Sequence, residues 1–425
     1  MSKNNPPIQL VKNEKHKAKT QPERLEPTVS SECGLMDVPF LVLVLLLVGI
    51  GLIMMFSASY ARAANESHGN PAFYFVRQAA FAVAGVGAMW VISRLNYQLW
   101  RMLAFPILGV AIVLLMAVPL IGDSAGGATR WIQIGPLRFQ PSEIAKIGMV
   151  LSFAAMMSSW KDRMRTLKYG VAPFVGIMGI LAVLLYLQPH LSATMIILVV
   201  GVAMMFLGGT HPKWLVAGFG LAVLLLVVYL TTQGYSGERF EAWLHPEADA
   251  QGDGYQVLQS LMAIGSGGLT GLGFGRSRQK YLYLPEEHND YIFAVVCEEL
   301  GFIGAGMIIL LFMLLIIRGY WLAMHARDRF GSLTVSGLTT LLAVQVFLNI
   351  GVVSNLLPST GISLPFFSYG GTALMINLAE MGIILGVSRW NTNAMPIKDK
   401  KKKTRKTGGK TNARHIHLRR DRRTH

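Results

Sequence analysis

Charge is what this 425-residue chain has least of: 15% of its residues are Asp, Glu, Lys or Arg, where soluble domains run nearer 25%. That scarcity, with a mean hydropathy of +0.44, excludes an ordinary water-soluble globule. Cysteine is almost absent. Cys33 sits in a polar tail and Cys297 in an apolar run, so no disulfide framework is expected. Period-two alternation of apolar and polar residues is missing, which excludes a membrane-spanning β-barrel. The first apolar run begins after Asp37 and is too long for the core of a cleaved leader.

What is present is a series of apolar runs of about 20 residues, each long enough to cross a ~30 Å hydrocarbon core as a helix. The fold class expected is an all-α polytopic membrane protein. Ten spans are predicted, at 38–58, 74–93, 102–121, 143–160, 170–187, 191–208, 214–232, 291–317, 333–353 and 371–388. A large loop, 233–290, separates the seventh from the eighth. Spans five and six meet at Gln188-Pro189-His190, which suits a tight hairpin. The polar, Lys-rich segment 1–37 reads as a disordered tail, 38–390 as the membrane domain and 391–425 as a second, basic tail. That basic tail supplies much of the net charge of +16. Directly after a membrane helix it fits anionic lipid headgroups, at ~1 kcal/mol per Lys or Arg, better than nucleic acid. Arg94, Arg101, the stretch 161–168, Lys213, Arg318, Arg327 and Arg329 fall on the side of both tails. The positive-inside rule then places both termini in the cytoplasm, and loop 233–290 outside.

The stretch 280–301, KYLYLPEEHNDYIFAVVCEELG, carries the sharpest signal. Glu286, Glu287, His288 and Asp290 crowd the mouth of an apolar run interrupted by Glu298 and Glu299. Charge inside hydrocarbon costs about 2.5–3.5 kcal/mol per side chain on insertion scales, so such a cluster reads as functional. From this segment alone, Asp290 serves equally well as a helix cap.

Three further features sharpen the reading. In GGATRWIQIGPLRFQPSEIAKIG, residues 126–148, Gly126 and Gly127 permit a turn, and Pro141-Ser142-Glu143 opens a helix. Glu143 and Lys146 share its face, either as a surface ion pair or as a desolvated one. The loop 233–290 holds Arg239, Trp243 and a glycine-rich run at 265–275. That run suits a nest of backbone N–H groups for an anion. With Arg276, Arg278 and Lys280 behind it, a phosphate-bearing substrate is indicated. In NLLPSTGISLPFFSYGG, residues 355–371, two prolines and three glycines enforce irregular backbone, which at membrane depth must be covered by protein or line a wet cavity. Ser368 and Tyr369 are positioned to hydrogen-bond a sugar, although packing accounts for most of that loop.

Together RWI…FQPSE..K, YQ..QS..AI.SGG..G.G.G.S.QK…LPE.H.D.IFAV..EELG..G and LP.TG..LPF.SYGG resemble the SEDS family. These are membrane glycosyltransferases of shape, elongation, division and sporulation. The resemblance covers about residues 38–390, in order. The N-terminal segment looks more like the FtsW-like and SpoVE-like branches than the elongation branch. The resemblance implies polymerisation of lipid II, an undecaprenyl-pyrophosphate-linked disaccharide-pentapeptide, into glycan strands at the plasma membrane of a bacterium. It implies that Asp290 is catalytic, and it places the family's loop Arg and helix Lys on Arg130 and Lys146. It also implies a class B penicillin-binding protein as partner, among other division proteins. One departure stands out: many members carry QPDLGTA where this chain has QPHLSAT, so His190 replaces an Asp.

Transfer from a lipid diphosphate needs a base for the acceptor hydroxyl and cations for the leaving group. Asp290 is the candidate base or metal-contacting carboxylate, in a single inverting displacement. Arg130, Lys146, Arg276, Arg278 and Lys280 are the candidate diphosphate clamp, with Glu143, Arg239, Glu286, His288, Ser368 and Tyr369 lining the substrate. Magnesium or manganese suits the chemistry, without a dedicated cage in the sequence, and no organic cofactor is expected. A lipid II flippase is the main alternative. It predicts ionisable groups throughout the spans, whereas these cluster at one face. A pure scaffold leaves that cluster unexplained.

Overall fold

The computed structural model describes residues 34–390, apart from 68, 126, 127, 136, 233–242, 249–251 and 282. Residues 1–33 of the first tail, the second tail 391–425 and Arg239 therefore lie outside the described residues, as do Gly126 and Gly127. The helices are α1 (Val38–Glu66), α2 (Phe73–Arg94), α3 (Gln98–Ile121), α4 (Pro141–Trp160), α5 (Ala172–Tyr186, preceded by the single turn Leu167–Gly170), α6 (Leu191–Leu207), α7 (Pro212–Thr232), α8 (Asp253–Gly267), α9 (Ile292–Met324), α10 (Arg329–Val353) and α11 (Gly371–Ser388).

Every segment read as a span is helical. Seven helical stretches among the described residues are long and apolar enough to cross a membrane: those of α1, α2, α3, Leu167–Tyr186, α9, α10 and α11. Helix α6 is apolar but has 17 residues, and α4 carries Glu143 and Lys146 in its first turns. Side chains such as Val76, Val83, Val113, Phe302, Met307 and Ile317 point outward from the bundle. An apolar exterior of that extent is stable against lipid rather than water. The interior is packed by Phe40, Phe153, Phe174, Phe312, Phe330 and Phe367, all below 2% exposed.

Two elements differ from the sequence reading. The segment 123–139 is a three-stranded antiparallel sheet rather than a loop: β1 (Asp123–Ala125), β2 (Ala128–Ile134) and β3 (Leu137–Phe139), in the order β1-β2-β3. Its strands, of 3, 7 and 3 residues, are too short for alternation to register. Residues 253–267 of the long loop form α8, which packs on α9. Its apolar positions Val257 and Ala263 are buried, yet its polar composition hides it from a search for spans.

Helix α9 is broken at Gly301, whose φ of 69° lies in the left-handed region. The N–H groups of Phe302 and Ile303 turn to the carbonyls of Gly268 and Leu269, at 2.9 and 3.1 Å. A Cβ at Gly301 would lie 2.2 Å from the Gly271 nitrogen, so only glycine fits this crossing. At the opposite end of the bundle a bidentate pair of Arg318 with Asp37, at 2.6 and 3.0 Å, ties α9 to the start of α1.

Candidate active site

The segment 285–291 leads into α9, and its backbone is fixed residue by residue. Gln256 on α8 donates to the Pro285 carbonyl at 3.4 Å. The Glu286 carbonyl accepts from the N–H groups of Asn289 and Tyr291, at 3.0 and 3.3 Å. Glu286 itself sits at φ +54°, a conformation unusual outside glycine, and its carboxylate accepts from the Asn289 amide. Arg62 of α1 grips Glu287 through two bonds of 2.9 and 2.8 Å. The Tyr369 N–H donates to the His288 carbonyl at 2.8 Å. The Ser368 hydroxyl donates to the Asn289 carbonyl at 2.7 Å and accepts from the Leu364 N–H at 2.7 Å. Asn349 of α10 donates to the carbonyls of Asp290 and Ile362, at 2.7 and 2.6 Å.

This frame delivers the Asp290 side chain, half-buried, beside Gly361. A Cβ built at Gly361 would meet Asp290 Oδ2 at 3.1 Å, and the φ of +67° there also favours glycine. Asp290 does not cap α9. The N-cap position is Tyr291, and no side chain caps the helix. Ser368, read as a sugar ligand, spends its hydroxyl proton on the Asn289 carbonyl and holds the frame. The ring of Tyr369 packs against Tyr74 and His288, with centroids 4.9 and 5.6 Å away.

Glu287 is fully buried. Burial pushes its carboxyl up, but His288 and Arg62 outweigh that and hold it below the ordinary glutamate value.

A second group lies on α4 and its neighbours. Lys146 pairs with Glu143 at 2.8 Å, with side chains 3% and 11% exposed, so the pair is desolvated as the helical spacing allowed. Arg130 on β2 donates to the Pro189 carbonyl. His190 Nδ1 accepts from the Ala193 N–H, capping α6, while its other ring nitrogen meets Gln140. Burial first, then the charges of Arg130 and Lys146, push His190 down to about 3, so the ring is neutral at physiological pH. Ser192 donates to the Thr360 carbonyl, one residue before Gly361. Ser192 thereby ties the start of α6 to the turn that carries Gly361, beside Asp290.

The glycine-rich segment behaves otherwise than expected. Its N–H groups serve the protein's own acceptors: Leu272 and Gly273 donate to the backbone carbonyls of Glu298 and Glu299, at 3.0 and 3.1 Å. Carboxylate oxygens of Glu298 accept from Ser277 Oγ and the N–H of Arg278, and those of Glu299 from Ser57 Oγ and Lys280 Nζ, the last at 3.0 Å. The nest is therefore filled by the two glutamates, and Lys280 is a buried partner of Glu299 rather than a free cation of a clamp. The side chains of Arg276 and Arg278 are exposed.

Sequence reasoning missed Arg62, Ser57, Asn349 and Glu380. Glu380 left a signal, as an ionisable residue within an apolar run. Among the described residues, no three His, Cys, Asp or Glu side chains gather where they could hold a metal ion.

The model of a family of cell cycle proteins, FtsW, RodA and SpoVE, matches residues 38–393. A probable peptidoglycan glycosyltransferase FtsW of Trichlorobacter lovleyi is 40% identical over 355 residues, 83% of this chain and 93% of the relative. Stage V sporulation protein E of Bacillus subtilis is 38% identical, over 84% of this chain and 97% of that protein. Among solved structures, a chain from a peptidoglycan synthase complex that couples polymerisation and crosslinking superposes with a TM-score of 0.70. It is 29% identical, covering 83% of this chain and 98% of that one. The rod shape determining protein RodA of Thermus thermophilus superposes with a TM-score of 0.63 at 28% identity, over 84% and 98%.

Proposed function

Since the chain belongs to the FtsW/RodA/SpoVE family, we propose that Asp290 is the general base with which this multi-pass membrane peptidoglycan glycosyltransferase polymerises a lipid-diphosphate-linked disaccharide-pentapeptide. The observation that carries the assignment is the frame around residues 285–291. Carbonyls on both sides of the carboxylate are engaged, so Asp290 is held at one place beside Gly361. Fixed geometry of this kind removes the ordering cost at the moment of reaction.

In the step proposed, Asp290 takes the proton of the acceptor sugar hydroxyl. The hydroxyl oxygen attacks the anomeric carbon of the donor, and the bond from that carbon to the lipid diphosphate breaks with inversion from α to β. Arg130 and Lys146 meet the negative charge that develops on the leaving diphosphate. A positioned base contributes about 10²–10⁴-fold. The residues described make no cage for magnesium or manganese, and no step here runs through a metal.

The loop sign pattern supports placing this face outside the cytoplasmic membrane, with both termini inside. A crosslinking protein of the class B penicillin-binding type, with a single membrane anchor, is the partner proposed. A flippase acting on the same lipid has less support, because the buried ionisable groups gather toward one end of the bundle.

The test is Asp290→Asn in the purified full-length protein, assayed for glycan strands made from lipid II. Loss of about 100-fold or more with the unfolding temperature retained is expected. Polymer made at the normal rate would refute the general base. Wild-type protein that makes no polymer while it flips labelled lipid II across vesicles would favour the transporter.

A further inference from the structure

The junction of α5 and α6, residues 188–192, has no part in the step above, yet each of its polar side chains is spent on another element. The Gln188 amide donates to the Leu115 carbonyl of α3 at 2.8 Å. The Pro189 carbonyl accepts from Arg130 of β2. Ser192 donates to the Thr360 carbonyl, next to Gly361 and so beside Asp290. Between these, His190, 7% exposed, meets the side-chain amide of Gln140. Gln140 stands immediately before α4. Its carbonyl accepts from the Glu143 N–H at 3.1 Å, and its side chain does not cap the helix. One short junction therefore touches the strand of Arg130, the start of the helix that carries Glu143 and Lys146, and the loop beside Asp290.

The direction of the His190–Gln140 bond follows from the other ring nitrogen. A neutral imidazole has one donor and one acceptor. Nδ1 is the acceptor, because it takes the Ala193 N–H at 3.1 Å. Nε2 therefore carries the proton and donates, and the Gln140 amide turns its oxygen toward the ring. Burial keeps the ring neutral, as this arrangement requires. The Asp of the family's pattern would cap α6 as well, but a carboxylate can only accept, so Gln140 would have to offer its amide nitrogen instead.

We propose that His190 is a positioning residue for glycosyl transfer: donating from Nε2 to Gln140 while it caps α6, it holds the start of α4, and with it Lys146, in register with Arg130 and with the loop beside Asp290. This rests on the reading of Asp290 as base and of Arg130 and Lys146 as diphosphate-binding cations. The three groups come from separate elements, and the junction 188–192 is bonded to all three supports.

The experiment separates the two ring nitrogens in the full-length protein in nanodiscs. His190→Asn keeps an acceptor for the Ala193 N–H and is too short to reach Gln140. His190→Gln places an amide nitrogen near Nε2 and gives up the cap. His190→Asn should hold the unfolding midpoint and lower kcat/KM for lipid II about tenfold or more, toward the ~100-fold that a misplacement of about 1 Å costs. His190→Gln should lower the midpoint and lose less activity. The reverse order, equal effects of both variants, or an unchanged kcat/KM in His190→Asn overturns the positioning role. The donor is tested from the other end. Gln140→Glu still accepts from Nε2–H and should retain about tenfold more activity than Gln140→Met, the scale of a close pairwise coupling. That advantage should vanish in the His190→Asp background, where two carboxylates face each other. Equal losses from the two Gln140 variants overturn the donor. Solid-state NMR of isotope-labelled histidine gives a reading independent of activity. The signals removed by His190→Gln should be those of a neutral ring protonated at Nε2, and a proton on Nδ1 overturns the arrangement. Normal polymerisation by Lys146→Ala would remove the reading of Lys146 and the catalytic half of this proposal with it, while the NMR signals still decide the bond to Gln140.

Discussion

Two buried charge networks sit toward the same end of the bundle, and they differ in how fully they are satisfied. In the first, Glu298 and Glu299 accept from Ser57, Ser277, Lys280 and backbone N–H groups, and Glu287 accepts two bonds from Arg62. In the second, one ion pair, Glu143–Lys146, stands beside Glu380, whose oxygens have no hydrogen-bond partner among the described residues. A saturated network has no donor to give a ligand and serves to hold the backbone. In the unsaturated one the Lys146 ammonium, with three N–H donors, is engaged by Glu143 alone, which leaves donors for an anionic substrate. Both are rich in charge, and only the bonding distinguishes them.

Breaking the saturated side should give the largest effect on stability. Lys280→Met leaves Glu299 buried without its cation and should cost about 3–5 kcal/mol, read as a fall in the detergent unfolding temperature. Wild-type unfolding would mean that the serines and N–H groups suffice.

On the unsaturated side, Lys146→Ala should act chiefly on turnover. Loss of about 100-fold in polymerisation is expected, the scale of one charge-stabilising donor, with a smaller stability loss because the Glu143 side chain keeps 11% exposure. Equal damage to stability from Lys146→Ala and Lys280→Met would erase the contrast.

Acid sharpens the comparison further. The Glu287 carboxyl is held below its ordinary value of 4.5, so its contribution is complete above about that pH. It is lost as pH falls through the lower folded-state value. Unfolding temperatures should therefore drop on acidification below 4.5, and Glu287→Gln should flatten that part of the profile. A variant profile parallel to wild type would exclude Glu287 as the group responsible. Smallest of all, Lys161→Ala, in an exposed turn at the far end of α4, should leave unfolding within about 0.5 kcal/mol and polymerisation unchanged. A measurable loss of activity there would point to a cytoplasmic contact.

Much of this was legible in the sequence, because lipid imposes a coarse rule: about 20 apolar residues make a helix whatever their neighbours. The segments read as spans are helical for that reason. Asp290 at the mouth of α9 and the Glu143–Lys146 pair were legible too, since both are local patterns. The fate of Lys280 was not. A cation after a glycine run looks the same whether it faces a phosphate or Glu299, and the choice is made by Ser57, 223 residues away in the chain. The frame around Asp290 was equally hidden, since Arg62, Asn349 and Ser368 meet it only through the packing of α1, α10 and the turn before α11.

The break at Gly301 has a mechanical side. Helix α9 has 33 residues, about 50 Å at 1.5 Å per residue, against a hydrocarbon thickness of ~30 Å. As one straight rod it would transmit every tilt imposed by a thinner or thicker bilayer to the residue just before its first turn. Divided at Gly301, it becomes a stub, 292–300, moored to α8 and the glycine segment, and a shaft, 302–324, of roughly 35 Å. The shaft is close to bilayer length, and its far end is tied to α1 through Arg318 and Asp37. Asp290 lies two residues before the stub, so a tilt of the shaft has the Gly301 break between it and the carboxylate beside Gly361.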